Sequence, residues 1–229
     1  MKYAVFGLGN FGRVLALELT RMGHEVVAVD ERSERVEEIK DEVSYAIQLN
    51  STDEKAVRTL PLNDLDAAIV AIGEDEGASI MTTALLRQLK VERIISRAFS
   101  SLHQTVLESM GVEEIVHPEG EAASRLAMRL NLKNTLDTYD LPSGYLIAEV
   151  NVPAKLVGKT IGEVAIRTEY EVSVITLLRE ESARNLFGFK RQIRHAVGPV
   201  DGDTELKEGD VMVIFGSEDN VNGFAEGDE

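Results

Sequence analysis

Short apolar runs alternate with amphipathic stretches through the first half of the chain. Tyr3-Ala4-Val5-Phe6 reads as a strand, and it runs straight into Gly7-Leu8-Gly9-Asn10-Phe11-Gly12. An amphipathic segment follows, then a second strand, Val26-Val27-Ala28-Val29, and Asp30. Arg32 to Lys40 reads as a short charged helix and Tyr45-Ala46-Ile47 as a third strand. Asn50-Ser51-Thr52-Asp53 carries helix-capping side chains and opens a helix through Leu60, which Pro61 ends. Ala67 to Ile72 is nearly all apolar, the pattern of a parallel strand covered on both faces. A helix from Gly77 to Leu89, a strand Arg93-Ile94-Ile95-Ser96, a helix from Ser101 to Met110 and a short strand Glu114-Ile115-Val116 complete the series. Six strands alternating with helices predict an α/β, Rossmann-type doubly wound parallel sheet.

Within that pattern the glycines have separate steric tasks. Gly7 permits a tight turn, Gly9 lets backbone amides approach a pyrophosphate, and Gly12 lets the helix pack on the strand. The helix N-terminus then offers an anion site. Asp30, at the end of the second strand, can accept hydrogen bonds from ribose hydroxyls and would repel a 2′-phosphate, so NAD is expected rather than NADP. Ligands of open α/β sheets meet the carboxyl ends of strands, so Gly9, Asp30, Asn50, Ala71 and Gly73 are expected to converge.

The pattern changes after this point. Ala122, Ala123, Leu126, Ala127 and Leu130 form one apolar helical stripe opposite Glu121, Ser124, Arg125 and Arg129. That stripe could cover the sheet or a second subunit. Asn, Asp, Pro and Gly accumulate near Lys133 to Pro142, which reads as a linker over 134–142 between a first domain at 1–133 and a second, smaller α+β domain at 143–229. Beyond it, Leu146, Ala148, Val150 and Val152 alternate as a half-buried strand, and Lys159 to Ile166 can form a short helix. Val172 to Leu178 and Val211-Met212-Val213-Ile214-Phe215 read as inner strands, the latter entered through the turn Leu206 to Asp210.

Charge narrows the partners. The 229 residues carry 40 acidic against 24 basic side chains, a formal net charge of −16, which argues against a nucleic-acid grip and against adsorption to anionic lipid. Lys190, Arg191, Arg194 and His195, beside Phe187 and Phe189, are a local exception, read either as a solvated hairpin or as an anion or partner contact. The chain has no cysteine, which removes disulfides and thiolate chemistry. The amino terminus is already strand and glycine turn, so no signal peptide is expected, and the apolar runs are too short to span a bilayer; a soluble cytoplasmic protein is expected.

Catalytic chemistry is hard to find. Hydride transfer needs an acid or base near the reacting carbon. The histidines are His24, expected to be structural, His103 and His117, either of which could face the cleft, and His195. None has metal-binding spacing, and no nucleophile elbow is present. The residues therefore point to a sensor that binds a nucleotide without consuming it; the alternatives are an NAD-dependent oxidoreductase with an unrecognised active site and a nucleotide sensor with another partner.

Several motifs in order also carry a resemblance. Gly7 to Gly12, Met22-Gly23-His24-Glu25-Val26 leading to Asp30, Val70-Ala71-Ile72-Gly73, and Val106 to Gly111 leading to His117-Pro118-Glu119 resemble the KtrA and TrkA regulatory subunits of potassium transporters. Val157-Gly158-Lys159-Thr160 and Leu206 to Asp210 are similar to their carboxyl-terminal domain. The resemblance implies a Rossmann-type RCK domain followed by a smaller RCK_C domain, with a dimerisation helix near 118–131. It also implies dimers assembled into an octameric ring beneath an integral membrane K⁺ transporter subunit of the KtrB/TrkH type. NAD, NADH, ATP or ADP would alter the ring, and no catalytic residue would be present.

By matching position, the resemblance assigns Gly7, Leu8, Gly9, Asn10, Phe11 and Gly12 to the phosphates, Asp30, Glu31 and Arg32 to ribose and adenine, and Asn50, Ser51 and Thr52 to the vicinity of adenine. Ala71, Ile72 and Gly73 would border the site, and Arg97 would point at phosphates. Glu119 would help hold a divalent cation, Mg²⁺ or Ca²⁺, with carboxylates paired across two subunits. Two departures stand out. Asn10 replaces an arginine common in KtrA proteins that would reach a terminal phosphate, and Glu180 to Val197 is longer than usual, setting the chain apart from relatives that bind cyclic di-AMP.

Overall fold

Alternate residues of each central strand feed two separate apolar layers, and this dictates the first unit. The computed structural model describes residues 1–62, 64–132, 134–184 and 190–226, with main chain alone at 181–184 and 190–193. The chain divides into two compact units, Met1–Gly120 and Glu121–Glu229.

In the first unit, strands β1 (Lys2–Phe6), β2 (Glu25–Asp30), β3 (Tyr45–Gln48), β4 (Ala67–Val70), β5 (Ile94–Arg97) and β6 (Glu114–Val116) form one parallel sheet in the order β3-β2-β1-β4-β5-β6. Helices α1 (Asn10–Arg21), α2 (Ser33–Glu37), α3 (Glu54–Val57), α4 (Glu76–Gln88) and α5 (Ser101–Ser109) connect them. Ala4, Phe6, Val27, Val29, Ala68 and Val70 pack with Leu85 and Leu86 of α4, while Val5, Ala28 and Ile69 pack with Ala16 of α1 and Val36 of α2. Successive strand residues thus serve opposite faces. The sheet order reverses between β1 and β4, which places the switch-point crevice beyond Phe6 and Val70.

Strand ends shift by one or two residues from the sequence reading. Asp53, the last of the four expected capping residues, caps α3, its carboxylate accepting from the amides of Lys55 and Ala56, and the helix ends at Val57 rather than at Leu60. His103 is 1% exposed in α5 against the ring of Phe99 and lines neither cavity described below, contrary to the expectation that it could face the cleft. Burial lowers its pKa below the ordinary value, against the pull of Glu76.

The second unit is an antiparallel sheet ordered β10-β9-β11-β8-β7, built from β7 (Thr135–Leu141), β8 (Tyr145–Asn151), β9 (Ser173–Arg184), β10 (Lys190–Ala196) and β11 (Val211–Ser217). Helix α6 (Pro118–Asn131) crosses the division at Gly120, and its last turn leads to Leu132 in the second unit's core. Residues 134–142, expected as a linker, instead hold β7, paired antiparallel with β8. Its polar residues suit an edge strand, and a register shift between Thr135 and Asp137 hides the alternation.

Leu146, Ala148, Val150, Leu177, Met212 and Ile214 face one core with Val221, Phe224 and Ala225 of α9 (Glu218–Glu226). The expected helix at 159–166 is two single turns, α7 (Ile161–Val164) and α8 (Ile166–Glu169), broken at Ala165 with φ 50°. Lys190, Arg191, Arg194 and His195 lie on β10, paired with β9 as a hairpin, while Phe187 and Phe189 lie outside the described residues. The stripe residues Ala122, Ala123, Leu126, Ala127 and Leu130 are all exposed, Leu130 to 76%. No helix among the described residues is long and apolar enough to cross a membrane.

Candidate nucleotide site

The turn leaving β1 is built as the glycine spacing predicts. Gly7 has φ 93°, its amide donates to Val29 O at 2.8 Å, and a Cβ there would stand 2.9 Å from the Ile72 nitrogen. At Gly12 a Cβ would stand 1.9 Å from the Gly7 carbonyl oxygen and 3.0 Å from Ala71 Cβ. Gly9 differs: a Cβ there would meet nothing within 4 Å. It is the N-cap of α1 and supplies no side-chain cap, so the approach to that helix end is open.

Asp30 ties the second strand to this turn. It is 6% exposed; Oδ2 accepts from the Leu8 amide at 2.7 Å and Oδ1 from the Arg32 amide at 2.9 Å. Arg35 Nη1 lies 3.4 Å from the same Oδ2. From the loop after β4, Glu74 reaches the same arginines, Oε2 to Arg32 Nη2 at 2.8 Å and Oε1 to Arg35 Nη2 at 2.6 Å. The hydrogen bond from Arg35, helped by the charges of Arg35 and Arg32, lowers the Glu74 pKa. Burial opposes the charge on Arg35, but Glu74 and Asp30 outweigh it and raise its pKa. These groups border a cavity of about 310 Å³ with Gly7, Glu31, Asn50, Ser51 and Ile72.

A second cavity of about 680 Å³ opens at the ends of β5 and β6, bordered by Arg97, Phe99, Ser100, His117 and Glu119. Arg97 packs so closely on Gly73 that a Cβ there would stand 2.3 Å from Nη1. Its guanidinium carbon lies 5.9 Å from the Phe11 ring centroid, and it is ion-paired with Glu119. Its Nε is buried without a hydrogen-bond partner, a free donor beside the glycine turn.

The expected residues therefore divide. Gly7, Asp30, Glu31, Arg32, Asn50, Ser51 and Ile72 share one cavity, and Arg97 and Glu119 the other. Leu8 contributes its amide to Asp30, while Gly12 and the 2% exposed Ala71 pack α1 against β4. Thr52 shapes the turn by donating to Asn50 Oδ1 through its amide and hydroxyl at 2.9 and 2.7 Å. Ser51 Oγ is 2.8 Å from Thr82 Oγ1 of α4. Asn10 and Phe11 open α1.

Sequence reasoning missed Arg35, Glu74 and Asp75. The signal for Arg35 was its place three residues past Arg32, in the first turns of the charged segment that follows Asp30; Arg32 itself is the extended N-cap of α2. A divalent cation is not fitted by one chain: Glu119 is a single carboxylate with a guanidinium on it, and among the described residues no group of three or more acids or histidines could hold a metal.

The TrkA-N domain family model matches residues 3–118 and the TrkA-C domain model residues 146–226. The Ktr system potassium uptake protein C of Bacillus subtilis (strain 168) is 32% identical over 223 residues, 97% of this chain and 95% of that protein. The chain belongs to the TrkA/KtrA family. Another similar member, Ktr system potassium uptake protein A of Vibrio alginolyticus, is 33% identical across 96% of this TrkA/KtrA chain and 94% of its own length.

Among solved structures, the crystal structure of the GsuK RCK domain has a TM-score of 0.63 at 19% identity, covering 98% of this chain and 46% of that one, and shares the fold. The GsuK channel bound to NAD has a TM-score of 0.62 at 19% identity, covering 98% of this chain and 39% of that one. The NAD(P)-binding domain of an exopolyphosphatase-related protein from Archaeoglobus fulgidus has a TM-score of 0.51 at 27% identity, covering 56% of this chain and 96% of that domain.

Proposed function

We propose that this TrkA/KtrA-family chain is a cytoplasmic, nucleotide-sensing regulatory subunit of a K⁺ uptake system. It acts without catalysis on a separate integral membrane transporter subunit of the KtrB/TrkH type. The observation that carries the reading is Asp30, a nearly buried carboxylate bonded to the glycine turn at the switch point, in a chain matched along 97% of its length by a potassium uptake protein.

NAD, NADH, ATP or ADP would place adenosine in the cavity beside Asp30 and phosphates across Gly9 toward Arg97. Ligand binding can move the transporter only if two assembly states bind the nucleotide with different affinity; tight binding alone shifts nothing. The exposed stripe on α6 supports dimers, and dimers supply the units of an octameric ring. A divalent cation enters this reading only through Glu119 carboxylates from two copies meeting the nucleotide phosphates.

Light scattering combined with calorimetric titration of NADH, NAD, ATP and ADP tests the proposal. The expected result is an octamer that binds at least one of them with micromolar affinity and returns it unchanged. Asp30→Ala is expected to weaken that ligand by on the order of tenfold or more through the lost ribose acceptor. A monomer or dimer that turns NADH over with a metabolite would replace this reading with an oxidoreductase.

A further inference from the structure

Beyond β2 the chain carries two opposed instructions. A carboxylate at the strand end favours a free ribose 2′-hydroxyl, whereas arginines just past it accommodate a 2′-phosphate. Asp30 supplies the first, and Arg32 and Arg35 the second, all on the same cavity. Asp30 taken by itself favours the free hydroxyl, but the two arginines oppose it. Glu74 resolves the conflict from across the cavity: each of its carboxylate oxygens takes one arginine, at 2.8 and 2.6 Å.

The loop that delivers Glu74 is anchored, because Asp75 caps α4 by accepting from the Ala78 amide at 2.9 Å. Since β2 and β4 flank β1 in the sheet, the clasp joins the two lips of the crevice. Both partners remain charged at neutral pH, Glu74 being lowered and Arg35 raised by their mutual hydrogen bond and charge against the opposing effect of burial.

We propose that Glu74 is a specificity-determining residue whose carboxylate occupies Arg32 and Arg35 as an internal stand-in for a 2′-phosphate. The cavity then accepts adenosine nucleotides with a free 2′-hydroxyl and rejects 2′-phosphorylated ones. This inference rests on the nucleotide-site reading above and names its ligand class more narrowly. Asp30 alone would leave the Arg32 guanidinium, and the Arg35 Nη2 that its 3.4 Å contact to Asp30 does not use, facing an incoming 2′-phosphate; with Glu74 in place both are taken and a further negative charge faces the ligand.

Calorimetric titrations with 5′-AMP and with adenosine 2′,5′-bisphosphate separate the outcomes, because the two probes differ only in the 2′-phosphate. Wild type is expected to favour 5′-AMP. Glu74→Gln is expected to shift the ratio of the two dissociation constants toward the bisphosphate by on the order of tenfold, the scale of two exposed ion pairs released. Adding Arg35→Ala to Glu74→Gln is expected to cancel most of that shift. An unmoved ratio in Glu74→Gln, or a shift that survives without Arg35, overturns the assignment of Glu74 while 5′-AMP still binds. Failure of 5′-AMP, NAD, NADH, ATP and ADP alike to bind wild type overturns the nucleotide-site reading itself, and this inference with it.

Discussion

Gly12→Ala is expected to destabilise the first unit by about 3 kcal/mol and to abolish nucleotide binding. Helix propensity alone predicts the opposite sign, since alanine is favoured over glycine inside a helix by about 1 kcal/mol. Packing wins because the added methyl would stand 1.9 Å from the Gly7 carbonyl oxygen. That oxygen belongs to a turn fixed by the positive φ of Gly7, by the hydrogen bond its amide donates to the Val29 carbonyl and by the one the Leu8 amide donates to Asp30, so it cannot move alone.

Gly9→Ala is the informative contrast. It has open space around the new methyl and an accessible φ of −65°, so its stability is expected to stay within about 1 kcal/mol of wild type. Its nucleotide affinity should still fall, because a methyl would stand where the proposed nucleotide would bring its phosphates to the backbone. Urea unfolding midpoints paired with calorimetric binding distinguish the two. A Gly12→Ala protein as stable as wild type would show that α1 does not need this contact.

The contrast also shows which parts of the fold were readable from sequence. Strands β1, β2 and β4 are covered on both faces, so their apolar runs are continuous and stand out against the helices between them. Edge strand β7 has no such cover: Tyr139 and Asp140 are exposed and Asp137 is half-buried, and the register shift breaks the alternation that would otherwise mark it. Its composition is therefore that of a loop. In α9, Val221, Phe224 and Ala225 do follow helical spacing, but Gly223 and the surrounding acids dilute the pattern over so few residues.

At the site, sequence spacing identifies local geometry and loses contacts made across the sheet. Asp30 was legible because the distance from a glycine turn to the end of the next strand is set by one helix and one strand. Glu74 was not, since it meets Arg35 from 39 positions away and only the order β2-β1-β4 brings them together. Arg97 is the last residue of β5, one past the strand read from sequence, but its pairing with Glu119 and its contact with Gly73 depend on how β5 and β6 end beside β4.

Asp210→Asn is expected to cost the second unit about 3 kcal/mol, the scale for removing one partner of a buried pair. The Asp210 side chain is 1% exposed; Oδ1 accepts from Arg179 Nε at 2.7 Å and Oδ2 from Arg179 Nη2 at 2.6 Å, while the Lys207 amide also donates to Oδ2 at 2.9 Å. Burial on its own would raise the Asp210 pKa, but Arg179 and the Lys207 amide outweigh it and lower the value. A carboxylate whose folded pKa lies below its unfolded one stabilises the fold above the unfolded value, about 3.9, and loses that contribution as pH falls toward the folded value. The stability difference between wild type and Asp210→Asn should therefore be full at neutral pH and shrink below about pH 4. Asp137 provides the comparison on the same sheet: it is paired bidentately with Arg125, but their side chains are 34% and 62% exposed. Solvent screening should hold Asp137→Asn to below about 1 kcal/mol. Chemical denaturation of both variants across pH decides the point: equal losses would mean that burial does not set the strength of the Arg179–Asp210 pair, whereas a large loss at Asp210 alone would identify that pair as the polar anchor between β9 and the turn into β11.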